Sequence, residues 1–148
     1  MSVAPQGRSG TARRPTPAPD VVACMPDGPL AAAVARTAVR EAVRRGARVR
    51  FLQVLRAGVG DRERAAADDR TFSAALRALR EAPRVRVAFE TAEGDAQAIA
   101  VDRSRHAGVL VVAGEPAGSD PGGHGRAHRG IAAYCRGHAG CPVVVVER

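Results

Sequence analysis

Residues 111–130, VVAGEPAGSDPGGHGRAHRG, begin as a buried strand and continue as a run rich in glycine, proline, histidine and arginine. One chemistry uses this combination. Glycines let a backbone approach a phosphate closely, the N–H groups at the start of the next helix point at it, and cationic side chains offset its charge. Gly114, Gly118 and Gly130 would supply the close approach, and His124, Arg126, His128 and Arg129 the charge. Two residues weaken such a cradle: Glu115 sets a negative charge beside the phosphate, and Pro116 takes away an N–H donor. An ordinary glycine-rich connection would use the same residues, so the surrounding elements must discriminate.

Other reactive residues organise less well. Cys135, His138 and Cys141 have the spacing of metal ligands, with His124 and His128 close by in sequence. Cys141 opens the last apolar strand, however, and His138 closes a short helix, both ordinary structural places, so no metal is expected. Cys24 lies inside an apolar strand, where a thiol is core packing and not a nucleophile. Asp68 and Asp69 read as a helix start, where acidic side chains complement the helix dipole. With no Gly-x-Ser-x-Gly elbow and no convergent carboxylates, no catalytic set is expected.

Strands and helices alternate around these residues. Residues 21–25 (VVACM) are a continuous apolar run, the mark of a strand buried on both faces. After Pro26-Asp27-Gly28-Pro29, the apolar positions Leu30, Val34, Ala38 and Ala42 recur at helical spacing over 30–45, and Gly46 ends the helix. Residues 47–55 (ARVRFLQVL) predict a second strand, and Gly58, Gly60 and the charged DRER a loop. Phe72, Ala75, Leu76 and Leu79 predict the apolar side of a helix within 69–81, stopped by Pro83. Residues 84–90 alternate, with Val85, Val87 and Phe89 on one face. Gly94-Asp95 opens a helix carrying Ala96, Ile99 and Ala100 towards His106, and residues 109–113 (VLVVA) form the most apolar strand, which marks it as a central one. A short helix over 131–136 and a last strand over 142–147 (PVVVVE, from Pro142 to its closing Glu147) complete the chain.

This alternation predicts an α/β fold with a parallel sheet and right-handed crossovers. Ligands of such sheets bind beyond the carboxyl ends of the strands, where the winding reverses. That rule selects the loops holding Asp27 and Gly114, which face each other if the first and fourth strands are neighbours.

With 148 residues, 45% of them hydrophobic, the chain suits one domain over 20–148 behind a Pro/Arg-rich tail, 1–19, that reads as disordered. The tail has no apolar h-region, and no apolar run reaches the length of a bilayer. The formal charge of +8 comes from 23 basic residues that are all arginine and are scattered along the chain. Scattered arginines with only three phenylalanines and one tyrosine count against a specific nucleic-acid surface. Three cysteines at no disulfide spacing fit a reducing cytoplasm.

Five stretches together resemble the universal stress protein (UspA-like) family: VVAC, the Asp27-Gly28 turn, RRGARVRFLQVL, DAQAIAVDRSRHAGVLVVAG and YCRGHAGCPVVVVER. The resemblance implies a Rossmann-like sheet of the adenine nucleotide alpha hydrolase type, five parallel strands in the order 3-2-1-4-5 with helices on both faces. Relatives that bind ATP carry Gly-x2-Gly-x9-Gly-Ser/Thr after strand four. Here Gly114 matches the first glycine and Gly118 comes one residue late. Counted back from Cys141-Pro142, the final pair falls on Arg129-Gly130, so the hydroxyl is lost and a bulky side chain replaces a glycine. The family's adenosine contacts, an aspartate after strand one and a residue near the end of strand two, correspond to Asp27 and Val54. The implied function is a cytoplasmic, non-enzymatic, homodimeric regulatory or protective module with a degraded nucleotide crevice. The rivals are an ATP-gated switch or slow ATPase, in which Arg126 or Arg129 replaces the lost hydroxyl, and a basic nucleic-acid-associated protein using the tail. An edge strand of valines with no charge inside it needs a cover, and the resemblance adds that the cover is the same strand of a second copy.

Overall fold

The computed structural model describes residues 17–114 and 130–147. Among them β1 (Val21–Cys24), α1 (Ala31–Arg45), β2 (Val49–Leu55), α2 (Asp61–Leu79), β3 (Val87–Glu93), α3 (Ala96–Ser104), β4 (Val109–Ala113), α4 (Ile131–His138) and β5 (Val143–Val146) follow one another. The five strands form one parallel sheet in the order β3-β2-β1-β4-β5, the α/β arrangement the sequence implied. The predicted tail lies outside the described residues up to position 16.

The alternation of each strand divides the core into two layers. Val21, Ala23, Val49, Phe51, Val109 and Val111 pack under α1 and α2, while Val22, Cys24, Leu52, Val54, Leu110 and Val112 pack under α3 and α4. The helices meet the sheet through small side chains: Val34, Ala35, Ala38, Val39 and Ala42 from α1, Ala74, Ala75 and Ala78 from α2, Ala96 and Ala100 from α3. Gly46 ends α1 in the left-handed region (φ 61°), and the following Ala47 N–H donates to the Ala42 carbonyl at 2.9 Å. Asp95 caps α3 by accepting from the Ala98 N–H at 2.9 Å. The buried Ser104 donates to the Val101 carbonyl and accepts from the Gly140 N–H at 2.9 Å, tying the end of α3 to the turn that enters β5.

Three expectations are corrected. DRER is not a loop: α2 starts at Asp61, so Asp68 and Asp69 lie mid-helix. Asp61 and Glu63 in its first turn complement the dipole, and no glycine or proline interrupts the chain between Gly60 and Pro83. The buried side of α2 is its alanines, leaving Phe72 44% and Leu76 59% exposed. Strand β3 starts at Val87 and runs to Glu93, because a turn, with the Val85 N–H donating to the Ala82 carbonyl, occupies the residues after Pro83. Phe89 on this edge strand is 41% exposed, its ring 4.6 Å from Phe72 and 5.5 Å from Phe51.

Charges gather at the amino ends of the strands. Asp20, just before β1, accepts from Arg48 (Nη2 at 2.8 Å, Nε at 3.1 Å) and from Arg50 (Nη2 at 3.2 Å). Arg103 of α3 donates to Glu90 at 2.7 Å, and Arg50 also lies 3.7 Å from Glu90. Burial alone would raise the Asp20 carboxyl, but the Arg48 and Arg50 guanidiniums outweigh it and hold the group below its ordinary value. A carboxyl lowered on folding stabilises the protein above its unfolded value, near pH ~4, and that contribution is lost as the pH falls through the folded value. Asp20→Asn is expected to cost about 1 kcal/mol at pH 7 and to lose less on acidification than the parent. Thermal midpoints measured from pH 7 down to pH 2 check this, and parallel curves for the two proteins would contradict it.

Candidate functional site

The register of the sheet brings the strand ends to one level. Cys24 stands opposite Leu52 and Ala23 opposite Val111, so Pro26, Val54 and Gly114 fall in one row beyond β1. Ala113 stands opposite Val146, which adds Glu147 to the same row. Strands β1 and β4 are neighbours whose connections run to opposite faces, so this row crosses the sheet where its winding reverses. Gly114 and the turn holding Asp27 therefore leave the sheet from neighbouring strands.

Each expected residue has a definite place except two. Asp27 is exposed in the turn after β1, and its Oδ1 lies 3.4 Å from Nη2 of Arg70, so α2 reaches over to this loop. Val54 is buried on the α3/α4 face with Cys24, near the end of β2. Gly130 precedes α4 with φ 69°, a left-handed conformation that favours glycine, and its carbonyl accepts the Tyr134 N–H at 2.9 Å. Gly114 is buried, its N–H donating to the Val146 carbonyl at 2.8 Å. Gly118 and Arg129 lie outside the described residues, as do Glu115, Pro116, His124, Arg126 and His128.

Gly114 has a reason to be glycine that its place in the loop did not reveal. A Cβ there would stand 2.8 Å from Cγ of Glu147, 3.2 Å from its Oε1 and 3.1 Å from Cγ1 of Val145. Val145 packs on the α3/α4 face, so the Glu147 side chain folds back over Gly114 on the face that also holds Val54 and α4. Neither Glu147 nor Arg70 was a candidate from sequence, since an acid ending a strand and an arginine on a helix carry no pattern. Gln53 was overlooked too, although it is the one uncharged polar residue in ARVRFLQVL. It is buried, donates to Asp68 at 2.7 Å and accepts from the Thr71 hydroxyl, which fixes α2 against β2 just below the strand ends.

The thiols are poor nucleophiles. Burial raises all three, pushing Cys135 up to about 11 and Cys24 beyond the ordinary thiol range. All three cysteines are free, with Cys24 and Cys135 buried in the α3/α4 layer and Cys141 partly exposed at its rim. His138 stacks on Tyr134, centroids 4.1 Å apart, with its Nδ1 2.8 Å from the Tyr134 carbonyl. Among the described residues no group of histidine, cysteine or acidic side chains could hold a metal ion. Nor is any helix among them long and apolar enough to cross a membrane.

No protein-family model and no curated protein matches the chain. Solved structures do. A universal stress protein in complex with cAMP shares 15% identity, with TM-score 0.67, covering 89% of this chain and 98% of its own. A universal stress protein from Archaeoglobus fulgidus shares 20% identity at TM-score 0.64, covering 86% of this chain and 92% of its own. That organism's universal stress protein in complex with dAMP shares 21% identity at TM-score 0.60, covering 86% and 96%. The chain thus has the universal stress protein fold over most of its length.

The contact between Glu147 and Gly114 yields a stability test. Gly114→Ala is expected to cost about 1 kcal/mol by overpacking, and adding Glu147→Ala should return part of the loss, leaving the Val145 contact. Chemical denaturation of the four proteins in this cycle checks it, and strictly additive effects would contradict the contact.

Proposed function

We propose that this chain is a universal stress protein whose strand-end crevice takes an adenine nucleotide and whose output is association with protein partners, not turnover. The observation that carries the reading is the row formed by the loop of Asp27, Val54 and Gly114 at the winding reversal, with the start of α4 at Gly130 on the same side as Val54. Similar proteins were solved with cAMP and with dAMP. Carried to this chain, the adenosine part would lie by Asp27 and Val54, and the phosphate end would run towards Gly114 and the N–H groups of α4. Arg129 and Gly118 belong to the phosphate end in this reading. ATP is then one candidate ligand among adenine nucleotides. The free thiols fit a reducing, cytoplasmic setting.

The second half of the proposal is a homodimer through β5. All four valines of β5 are partly exposed, and β5 is an edge of the sheet. The Pro142 and Val146 carbonyls accept from Leu110 and Gly114. By the alternation of a strand, Val143 and Val145 therefore turn their N–H and C=O groups away from β4. A second β5, antiparallel about a twofold axis, would satisfy these groups and cover the valines.

Two measurements test the reading. Protein purified from cells, denatured and passed over anion exchange should release adenine nucleotide, or the emptied protein should give heat when titrated with one. Neither release nor heat would end the nucleotide half. Val145→Pro removes one outward N–H and leaves the ladder to β4 intact. Sedimentation velocity should show the parent as a dimer and this variant as a folded monomer, and a parent that sediments as a monomer would end the dimer half.

A further inference from the structure

The side chain of Glu147 lies over the face of Gly114 on which a Cβ would stand. Its Cγ and Oε1 lie 2.8 Å and 3.2 Å from where a Cβ of Gly114 would stand, and it shares the row of strand ends with Val54. Among the described residues no arginine pairs with it. Being exposed, the side chain can swing aside for a ligand, but its short tether keeps the carboxylate close to the same place. The steric obstacle is removable and the electrostatic one is not.

We propose that Glu147 sets the charge of the ligand this crevice accepts, favouring an adenine nucleoside or nucleoside monophosphate over a triphosphate. The inference rests on the nucleotide reading above and concerns the same crevice. A glycine opposite the end of β5 would ordinarily leave its backbone open to an anion. Here a carboxylate covers it, and every phosphate charge brought to Gly114 is repelled. At a half-solvated separation of several ångströms the penalty summed over the charges of a triphosphate is on the order of tenfold in affinity, because only the phosphate at Gly114 comes close and the others are screened. It grows with the number of phosphates, spares the neutral nucleoside, and shrinks as salt screens it.

The test is a calorimetric titration of the full chain, emptied of ligand and kept free of divalent ions, with adenosine, AMP and ATP at low and high salt. The proteins are the parent, Glu147→Gln and Glu147→Lys. The parent should bind adenosine or AMP more tightly than ATP. Glu147→Gln should tighten ATP about tenfold, AMP less, and adenosine by under about twofold, with Glu147→Lys extending the trend. A change of the same size for all three ligands, or none, would overturn the role of Glu147 and leave the nucleotide reading standing. No binding of any of the three to any protein would overturn that reading, and this inference with it.

Discussion

Strand β1 is hydrogen-bonded to a strand on each side and buried on both faces, and the rest of the molecule is arranged around that constraint. Four residues with no accessible surface to spare admit no charge. The first carboxylates the chain can place lie just outside the strand, Asp20 before it and Asp27 after it. At the amino end Asp20 gathers Arg48 and Arg50 into a partly buried cluster that holds neighbouring strands in register. At the carboxyl end Asp27 is exposed, with Arg70 3.4 Å away. One strand thus separates a closed charged end, which serves stability, from an open one, where the proposed crevice lies.

The valine-rich strands and alanine-faced helices divide the remaining work. Small residues on α1, α2 and α3 let the helices sit close to the sheet, so packing is spread over many modest contacts and few large ones. The aromatic residues are then surplus to the deepest core except for Phe51. This explains the difference at α2: of the predicted apolar side, Phe72, Ala75, Leu76 and Leu79, Ala75 is buried and Leu79 partly so, while Ala67, Ala74 and Ala78 fill the rest and Phe72 and Leu76 stay exposed. Hydrophobicity ranks phenylalanine above alanine, but close approach of a helix to the sheet favours the smaller side chain. The strands were more legible. VLVVA matched β4 from end to end, since only a strand covered on both sides can be that apolar.

The strand-end row was legible in outline and not in detail. Parallel topology and two polar turns were enough to select Asp27 and Gly114. They could not show that Gly114 is pressed by a side chain from beyond β5, because that contact joins residues far apart in sequence through the register of β4 and β5. A glycine that looked like half of an anion cradle is, in the folded chain, also the floor under an acid. Local patterns locate backbones near one another, but which side chain fills the space between them is settled only by packing.

The stack of Tyr134 on His138 has an experimental use. The chain has no tryptophan and a single tyrosine, so its intrinsic ultraviolet emission comes from one place, a ring on α4 one turn from Gly130. Imidazole 4.1 Å away is close enough to quench that emission. Unwinding of the last turn of α4, which would part the two rings, would therefore register as a change in brightness without any attached dye.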